Sequence, residues 1–335
     1  MPDEMYHRML MLLLTVLNSF PMSQTKSRFI LFMDDDIDTY LGRDLFSDLS
    51  QRRLQFYDVT GETPETFLIL FQNIDPHIRT PVRRGRPRRL NRRNMLLITL
   101  IWLKCYPNYN ILSIMFDILP RQVSRIVNLV WPILYEILCD NIKWPTRREW
   151  RQKRGKWNKL REAVGCIDGT PHEILRPSTE PQSLYYSGYH NFHCVHTQVV
   201  IDNEKNIVHV ESGFLGHNND ANTFNMMTPV GDGRTLELPR NCYLLGDCIY
   251  PSHHPVVTPF TAAQLRGLPR HERRVQKKLN KTIRKYRVYI EHVIRLLKIF
   301  KIIGSLYRHD RNNIGKIACL CAYLCARRAR LLFDN

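Results

Sequence analysis

Ala163-Val-Gly-Cys-Ile-Asp-Gly-Thr170 is a short apolar run that ends on an aspartate and a glycine. A run of that composition suits a strand buried on both faces, so Asp168 is expected where such a strand opens into a loop. Cys242-Tyr-Leu-Leu-Gly-Asp247 repeats the arrangement, with Asp247 at its end. Between them, Phe192–Asp202 and Asn206–Phe214 read as strands joined by a turn at Asn203-Glu204-Lys205, and Val256–Phe260 reads as a short strand. Asp220–Met227 reads as a helix, Arg270 to about Ile303 as a long helix and Ile314–Leu332 as another. Strands first, then a helix, a strand and further helices predict a mixed α/β layer architecture.

The preceding part of the chain has a different texture. Residues 1–80 form a mixed, helical region; within it Thr63 is placed to cap a helix that Pro64 opens and that runs to Ile74. Residues 81–93 form a cationic linker, with seven arginines from Arg83 to Arg93 and no acid. Residues 94–145 read as helical. One helix runs near Met95–Lys104, a second near Ile111–Phe116, and Pro120 opens a third with Val123, Ile126, Val127, Val130 and Ile133 at helical spacing. Arg121, Gln122, Ser124 and Arg125 stand at the start of the third helix, which makes the trio similar to a helix-turn-helix. Either DNA contact or plain helix packing accounts for it. The strand-bearing domain then spans 163–332.

A third acid, Glu291, lies in Tyr286-Arg-Val-Tyr-Ile-Glu-His-Val-Ile-Arg-Leu-Leu-Lys298. The apolar stripe of that helix is Ile290, Val293, Ile294, Leu297 and Phe300, and Glu291 sits at its edge among Arg287, Arg295 and Lys298. Breaking a phosphodiester requires an activated nucleophile and a stabilised leaving oxygen, and two divalent ions supply both. Hard cations take oxygen ligands, which carboxylates on rigid strands provide. Taken singly, each acid has a plainer explanation. Glu291 could pair with Arg287 and Arg295 on an exposed helix, and Asp168 and Asp247 sit in strings common in turns.

Taken in order, the strings resemble the catalytic domain of PIF/Harbinger-type DDE transposases and the nuclease-like proteins derived from them. Gly165-Cys-Ile-Asp-Gly-Thr-Pro-His172 is followed by Tyr185-Tyr-Ser-Gly-Tyr-His-Asn191 and Gln198-Val-Val-Ile-Asp202. Gly216-His-Asn-Asn-Asp220 with Phe224, Leu244-Leu-Gly-Asp-Cys-Ile-Tyr-Pro251 and the Tyr286–Lys298 string complete the series. The resemblance covers about Leu96 to Arg328, since the segment Asn110–Val127 also looks like the family's helix-turn-helix. It implies an RNase H-like fold, a mixed sheet flanked by helices, with two Mg²⁺ or Mn²⁺ ions held by Asp168, Asp247 and Glu291. The spacings, 247 − 168 = 79 and 291 − 247 = 44, are compatible with it. Asp220 matches a further acidic position and is expected as an auxiliary ligand or a supporting group. Asn219 stands before it where the family usually has His. Cys248-Ile249 replaces the small pair usual after the second aspartate, and Cys321-Ala-Tyr-Leu-Cys-Ala replaces the family's Leu-His-Asn near the C-terminus.

The composition agrees with a polyanionic partner. The 335 residues carry 49 Lys and Arg against 31 Asp and Glu, a formal charge of +18. DNA is the expected partner. Arg84-Gly-Arg86-Pro87 has the core of a minor-groove hook, although phosphate contact and nuclear import suit it better. Arg121, Arg125, Arg287, Arg295 and Lys298 are expected on phosphates, helped by twelve Lys and Arg between Arg266 and Lys298. A second basic stretch, Arg147–Arg161, holds eight more. His190, His193 and His196 are expected at the surface or on DNA, with 190 and 196 sharing one strand face. The resemblance implies a separate Myb-like targeting partner, and a homo-oligomer is expected beside it. A nucleus-located protein with some in the cytoplasm is expected.

Nine cysteines without a framework read as reduced thiols, mostly buried. The apolar run Met9–Leu17 is too short to span a bilayer, and no membrane partner is expected. Phosphate-cradling loops of the P-loop type, dinucleotide fingerprints and nucleophile elbows are absent. The enzyme reading is a metal-dependent DNA endonuclease or transposase. The rivals are a domesticated, non-catalytic DNA-binding adaptor on the same fold and an RNase.

Overall fold

Three short helices, α1 (Leu45–Ser50), α2 (Arg53–Thr60) and α3 (Pro64–Ile74), gather around Phe46, Phe56 and Phe67, whose ring centroids lie 4.9–5.8 Å apart. Thr63 caps α3 as its position predicts: its Oγ1 accepts from the Thr66 backbone N–H, and Thr66 returns the bond in a capping box. The computed structural model describes residues 44–78, 90–230 and 236–333, with side chains to residue 327. The Met9–Leu17 run and most of the basic linker, including Arg84 and Arg86, lie outside the described residues. The chain divides into two compact units between Leu134 and Tyr135.

Three helices follow: α4 (Arg92–Cys105), α5 (Tyr109–Phe116) and α6 (Pro120–Leu138), whose last four residues fall in the second unit. α4 and α5 begin two or three residues earlier than hydrophobic spacing indicates, because their caps, Asn91 and Asn108, precede the apolar stripe. Each carboxamide accepts a backbone N–H three residues on. Tyr106 and Asp117, both in the left-handed region, end them. The Gln122 side chain accepts the Leu119 N–H at the start of α6. Val123, Val127 and Val130 are buried, while Arg121 and Arg125 are exposed one turn apart.

In the second unit the basic stretch forms α7 (Arg147–Gln152), which buries Trp150 under a capping box of Thr146 and Glu149. The sheet contains β1 (Ala163–Glu173), β2 (Tyr186–Ser187), β3 (Phe192–Asp202), β4 (Ile207–Leu215), β5 (Tyr243–Leu245) and β6 (Val256–Val257). Its order is β2-β3-β1-β5-β6, with β4 also on β3. β1, β3 and β4 pair antiparallel, whereas β1, β5 and β6 pair parallel. The remaining helices are α8 (Gln182–Tyr185), α9 (Asp220–Met226), α10 (Ala262–Gly267), α11 (Arg270–Lys298), α12 (Lys301–Gly304) and α13 (Ile314–Phe333). The result is a mixed α/β unit with a mixed sheet flanked by helices. Among the described residues no helix is long and apolar enough to cross a membrane.

Two boundaries differ from expectation for a physical reason. β1 does not stop at Asp168 but runs five residues further, because β3 pairs with it from Gly165 opposite Asp202 to Glu173 opposite Cys194. An antiparallel partner of full length satisfies backbone groups that a strand end would leave to water. The 242–247 strand is shorter than expected, three residues, since its parallel partner engages only Ala163 to Cys166. At the β3–β4 turn Asp202 accepts the Glu204 and Asn206 backbone N–H groups and the Lys153 ammonium, so this aspartate is a turn clamp.

One sheet face packs Val164, Ile167, Val200, Val208 and Leu244 against Phe224, Tyr250 and Trp150. The buried stripe of α11, Ile283, Ile290, Val293 and Leu297, covers the other face, as its apolar spacing predicts. Phe224 is 1% exposed and meets Tyr250 edge-on. Phe224→Ala is expected to cost roughly 3–5 kcal/mol. A urea unfolding curve of the full chain reads this directly, and a loss well under that range would remove Phe224 from the core.

Candidate functional site

β5 runs parallel to β1 with Leu245 opposite Cys166. Two residues further along each segment stand Asp247 and Asp168, so the register brings the two carboxylates level. β5 ends there while β1 continues, which leaves the edge of β1 open beside Asp168. The Asp168 Oδ1 accepts the Gly169 N–H at 3.1 Å, and the Asp247 Oδ1 accepts the Cys248 N–H at 2.7 Å.

α11 passes over this point. The Cys166 thiol donates to the Tyr286 carbonyl, and the Tyr286 ring stacks on Trp157 at 4.5 Å. The next residue, Arg287, is thereby placed between the aspartates. Its Nη2 lies 3.2 Å from Asp168 Oδ2 and its Nη1 3.4 Å from Asp247 Oδ1. Its Nε is buried without a hydrogen-bond partner. Sequence reasoning put Arg287 on phosphate; in the structure it bridges the two acids.

Asp220 approaches the same place from the opposite face of the sheet. Asn219, the residue that departs from the family's His, caps α9 by accepting the Asn222 N–H at 2.8 Å. The Gln198 Nε2 donates to Asp220 Oδ1 at 3.3 Å, and its Oε1 accepts from the Tyr250 hydroxyl at 2.6 Å. Gly169 permits the approach, since a Cβ there would lie 2.1 Å from Asp220 Oδ1. Gln198, Tyr250 and Gly169 were not expected at the site. Gln198 carried a partial signal: it stands directly before the apolar Val199-Val-Ile201 of β3, and it is fully buried in the structure, where a polar group demands partners.

The other expected residues are placed differently. Glu291 is exposed one turn beyond Arg287, and its charge bears on the Cys166 thiol, two residues before Asp168 on the same strand face. The charges acting on Asp168 are those of Arg287, Asp220 and Asp247. Arg295 is exposed; Lys298 is half-buried, with its charge bearing on His172, His190 and His196. His196 is a core residue and not a surface one: burial pushes its imidazole down to about 4, so it is neutral. His190 precedes β3, its ring 6.0 Å from that of His196. Cys248 is exposed, unlike the buried thiols Cys166, Cys194 and Cys242. Arg121 and Arg125 belong to the other unit.

Burial pushes the Asp168 carboxyl up to about 6; Arg287 pulls it back, and the charges of Asp220 and Asp247 raise it. Burial also raises Asp220. Three buried or half-buried carboxylates from different elements offer only oxygen donors, which suits a hard divalent cation in chemistry. Among the described residues no three His, Cys, Asp or Glu side chains are so arranged that they could hold a metal ion as they stand. The Arg287 guanidinium lies between two of the three candidates.

The raised Asp168 value has a stability consequence. From its ordinary 3.8 up to about 6 the folded chain holds more protons than the unfolded one. Stability therefore falls as pH rises through that window, and the full cost is present above it. Without added metal, Asp168→Asn is expected to melt higher than wild type near neutral pH, with the difference gone by about pH 4, near the ordinary value. Scanning calorimetry across that range checks it; a lower melting temperature at neutral pH would mean that pairing with Arg287 outweighs burial.

Residues 167–326 match the DDE superfamily endonuclease family, and residues 88–140 match the helix-turn-helix of DDE superfamily endonuclease. The chain is 23% identical over 261 residues to a protein of Microchaete diplosiphon described as a probable transposase for insertion sequence element IS702. That similarity spans 78% of this chain and 89% of the relative. No solved structure matches. The chain carries a DDE superfamily endonuclease domain together with the helix-turn-helix that accompanies it.

Proposed function

We propose that this protein is a divalent-metal-dependent DNA endonuclease or transposase of the PIF/Harbinger type, acting on an RNase H-like scaffold. The observation that carries the reading is the β1–β5 register, which holds Asp168 and Asp247 level at an open strand edge inside a DDE endonuclease domain. Asp168 and Asp247 are assigned as the ion-holding pair and Glu291, exposed on α11 one turn beyond Arg287, as the third acid. Asp220 supports the pair from behind, fixed by Gln198 and Tyr250. Mg²⁺ or Mn²⁺, when bound, supplies a Lewis acid and lowers the pKa of a coordinated water.

The residues of this chain do the rest. β1 holds Asp168 on a rigid strand paired along this stretch with β3, which keeps its carboxylate in place. Above about pH 6 Asp168 is ionised and able to act as a ligand. α11 presents Arg295 and its exposed N-terminal Lys and Arg residues, a cationic surface suited to the DNA backbone. Arg121 and Arg125, exposed at the first turns of α6, suit a helix that enters the major groove. Nuclear location, a Myb-like targeting partner and self-association belong to the same reading.

Cleavage of supercoiled DNA with Mn²⁺ tests the chemistry. Asp168→Ala and Asp247→Ala are each expected to lose more than the roughly 10–100-fold that removal of a ligand-orienting group costs. Retained DNA binding with no nicking by the wild type, or nicking unchanged in Asp247→Ala, would support a non-catalytic DNA-binding adaptor. A preference for RNA or hybrid substrates in the same assay would point to an RNase. For the helix-turn-helix, Arg121→Ala and Arg125→Ala are each expected to weaken DNA binding. If the contact is to phosphate, the slope of log affinity against log salt becomes shallower by about 1 per residue. Anisotropy titrations over a salt series give that slope, and an unchanged slope with unchanged affinity removes the pair from the interface.

A further inference from the structure

We propose that Arg287 is a built-in exchangeable cation: it holds Asp168 and Asp247 together, and yields its position to a divalent ion when DNA phosphate offers its guanidinium another anion. The inference rests on the metal-site reading above and concerns how that site is loaded.

The geometry is that of a loose bridge. A guanidinium that binds one carboxylate with both prongs makes contacts of about 2.7–2.9 Å. Here each aspartate receives one prong, at 3.2 Å and 3.4 Å. The aspartate oxygens also serve the backbone: Asp247 Oδ1 takes the Cys248 N–H besides Arg287, and Asp168 Oδ1 takes Gly169. The guanidinium Nε is buried without a partner. Arg287 is thus held by charge more than by a saturated hydrogen-bond network, and leaving would free its Nε to find a partner.

Charge bookkeeping gives the exchange its direction. Asp168, Asp220, Asp247 and Glu291 against Arg287 leave a negative excess. Two divalent ions balance the four acids by themselves and leave the guanidinium without a net countercharge. Arg287 then needs an anion elsewhere. Its neighbours one turn back and two turns on, Arg284 and Arg295, are exposed on the same cationic helix, so a bound DNA backbone would run within reach. Arginine suits this role because its fork donates to carboxylate and phosphate oxygens alike and it never loses its charge. Metal and DNA would then each assist the other by the same factor, as linkage demands.

The test is Mn²⁺ binding to the full chain, followed by the electron-spin-resonance signal of the free ion, with wild type, Arg287→Gln, Arg287→Lys and Asp247→Asn. Arg287→Gln is expected to bind Mn²⁺ roughly 10-fold more tightly than wild type, well within the coupling seen between linked sites. Arg287→Lys, which keeps the charge, is expected to stay near wild type, and Asp247→Asn to lose the binding. In anisotropy titrations with a short labelled duplex, Mn²⁺ is expected to tighten wild-type binding and to tighten Arg287→Gln less. Arg287→Met replaces the glutamine variant if circular dichroism shows that the latter does not fold. Mn²⁺ affinity equal to or below wild type in the neutral variants, with Asp247-dependent binding intact, overturns the exchange and leaves the metal site standing. Absence of Asp247-dependent Mn²⁺ binding in every variant overturns both.

Discussion

Leu245 lies opposite Cys166, and the site follows from that pairing. Side chains alternate faces along a strand, so a slip of one residue would turn Asp168 away from α11 and toward the Phe224 core. The phase of β1 is set just upstream, where the β1–β5 register shifts between Ala163 and Gly165. Gly165 is required there, because a Cβ would lie 2.1 Å from the Ile201 carbonyl of β3. A glycine that lets β3 close in, an irregularity that adjusts the phase, and a three-residue parallel strand together put Asp168 and Asp247 at one level.

Placing acids at that level works against stability. Burial makes Asp168 hold its proton far more tightly than a free carboxyl, and Asp220 is raised for the same reason. Arg287 offsets part of the cost but leaves its own Nε unpartnered. A core selected for stability alone would put apolar groups here, since buried ion pairs seldom repay their desolvation. Their retention on the rigid part of the sheet, with Gln198 and Tyr250 orienting Asp220, is the pattern expected of a functional cluster.

α11 joins two demands in one segment. Its buried side, Ile283, Ile290, Val293 and Leu297, fastens it to the sheet beside Trp157 and Tyr286. Its opposite side carries Arg284, Arg295 and the exposed Lys and Arg residues of the first turns. The anchor at Tyr286 fixes the position of Arg287, while the outer face stays open to a polyanion. Glu291 lies between these roles, exposed and one turn from Arg287.

Much of this was legible in the chain itself. Local rules were enough for the β3–β4 hairpin, the Thr63 cap, the three helices of the 92–138 segment and the amphipathic stripe of α11, because periodicity and capping depend only on neighbouring residues. The candidate acids Asp168, Asp247, Asp220 and Glu291 were likewise readable from their strings and order. Tertiary structure alone decided which of them meet. Asp168 sits in mid-strand because a distant segment, β3, pairs beyond it; Asp220 reaches Asp168 because Gly169 lacks a side chain; Arg287 faces the aspartates and not the solvent because Tyr286 is held on Trp157. Each depends on contacts between residues tens of positions apart, and a sequence records such pairs without recording their distance.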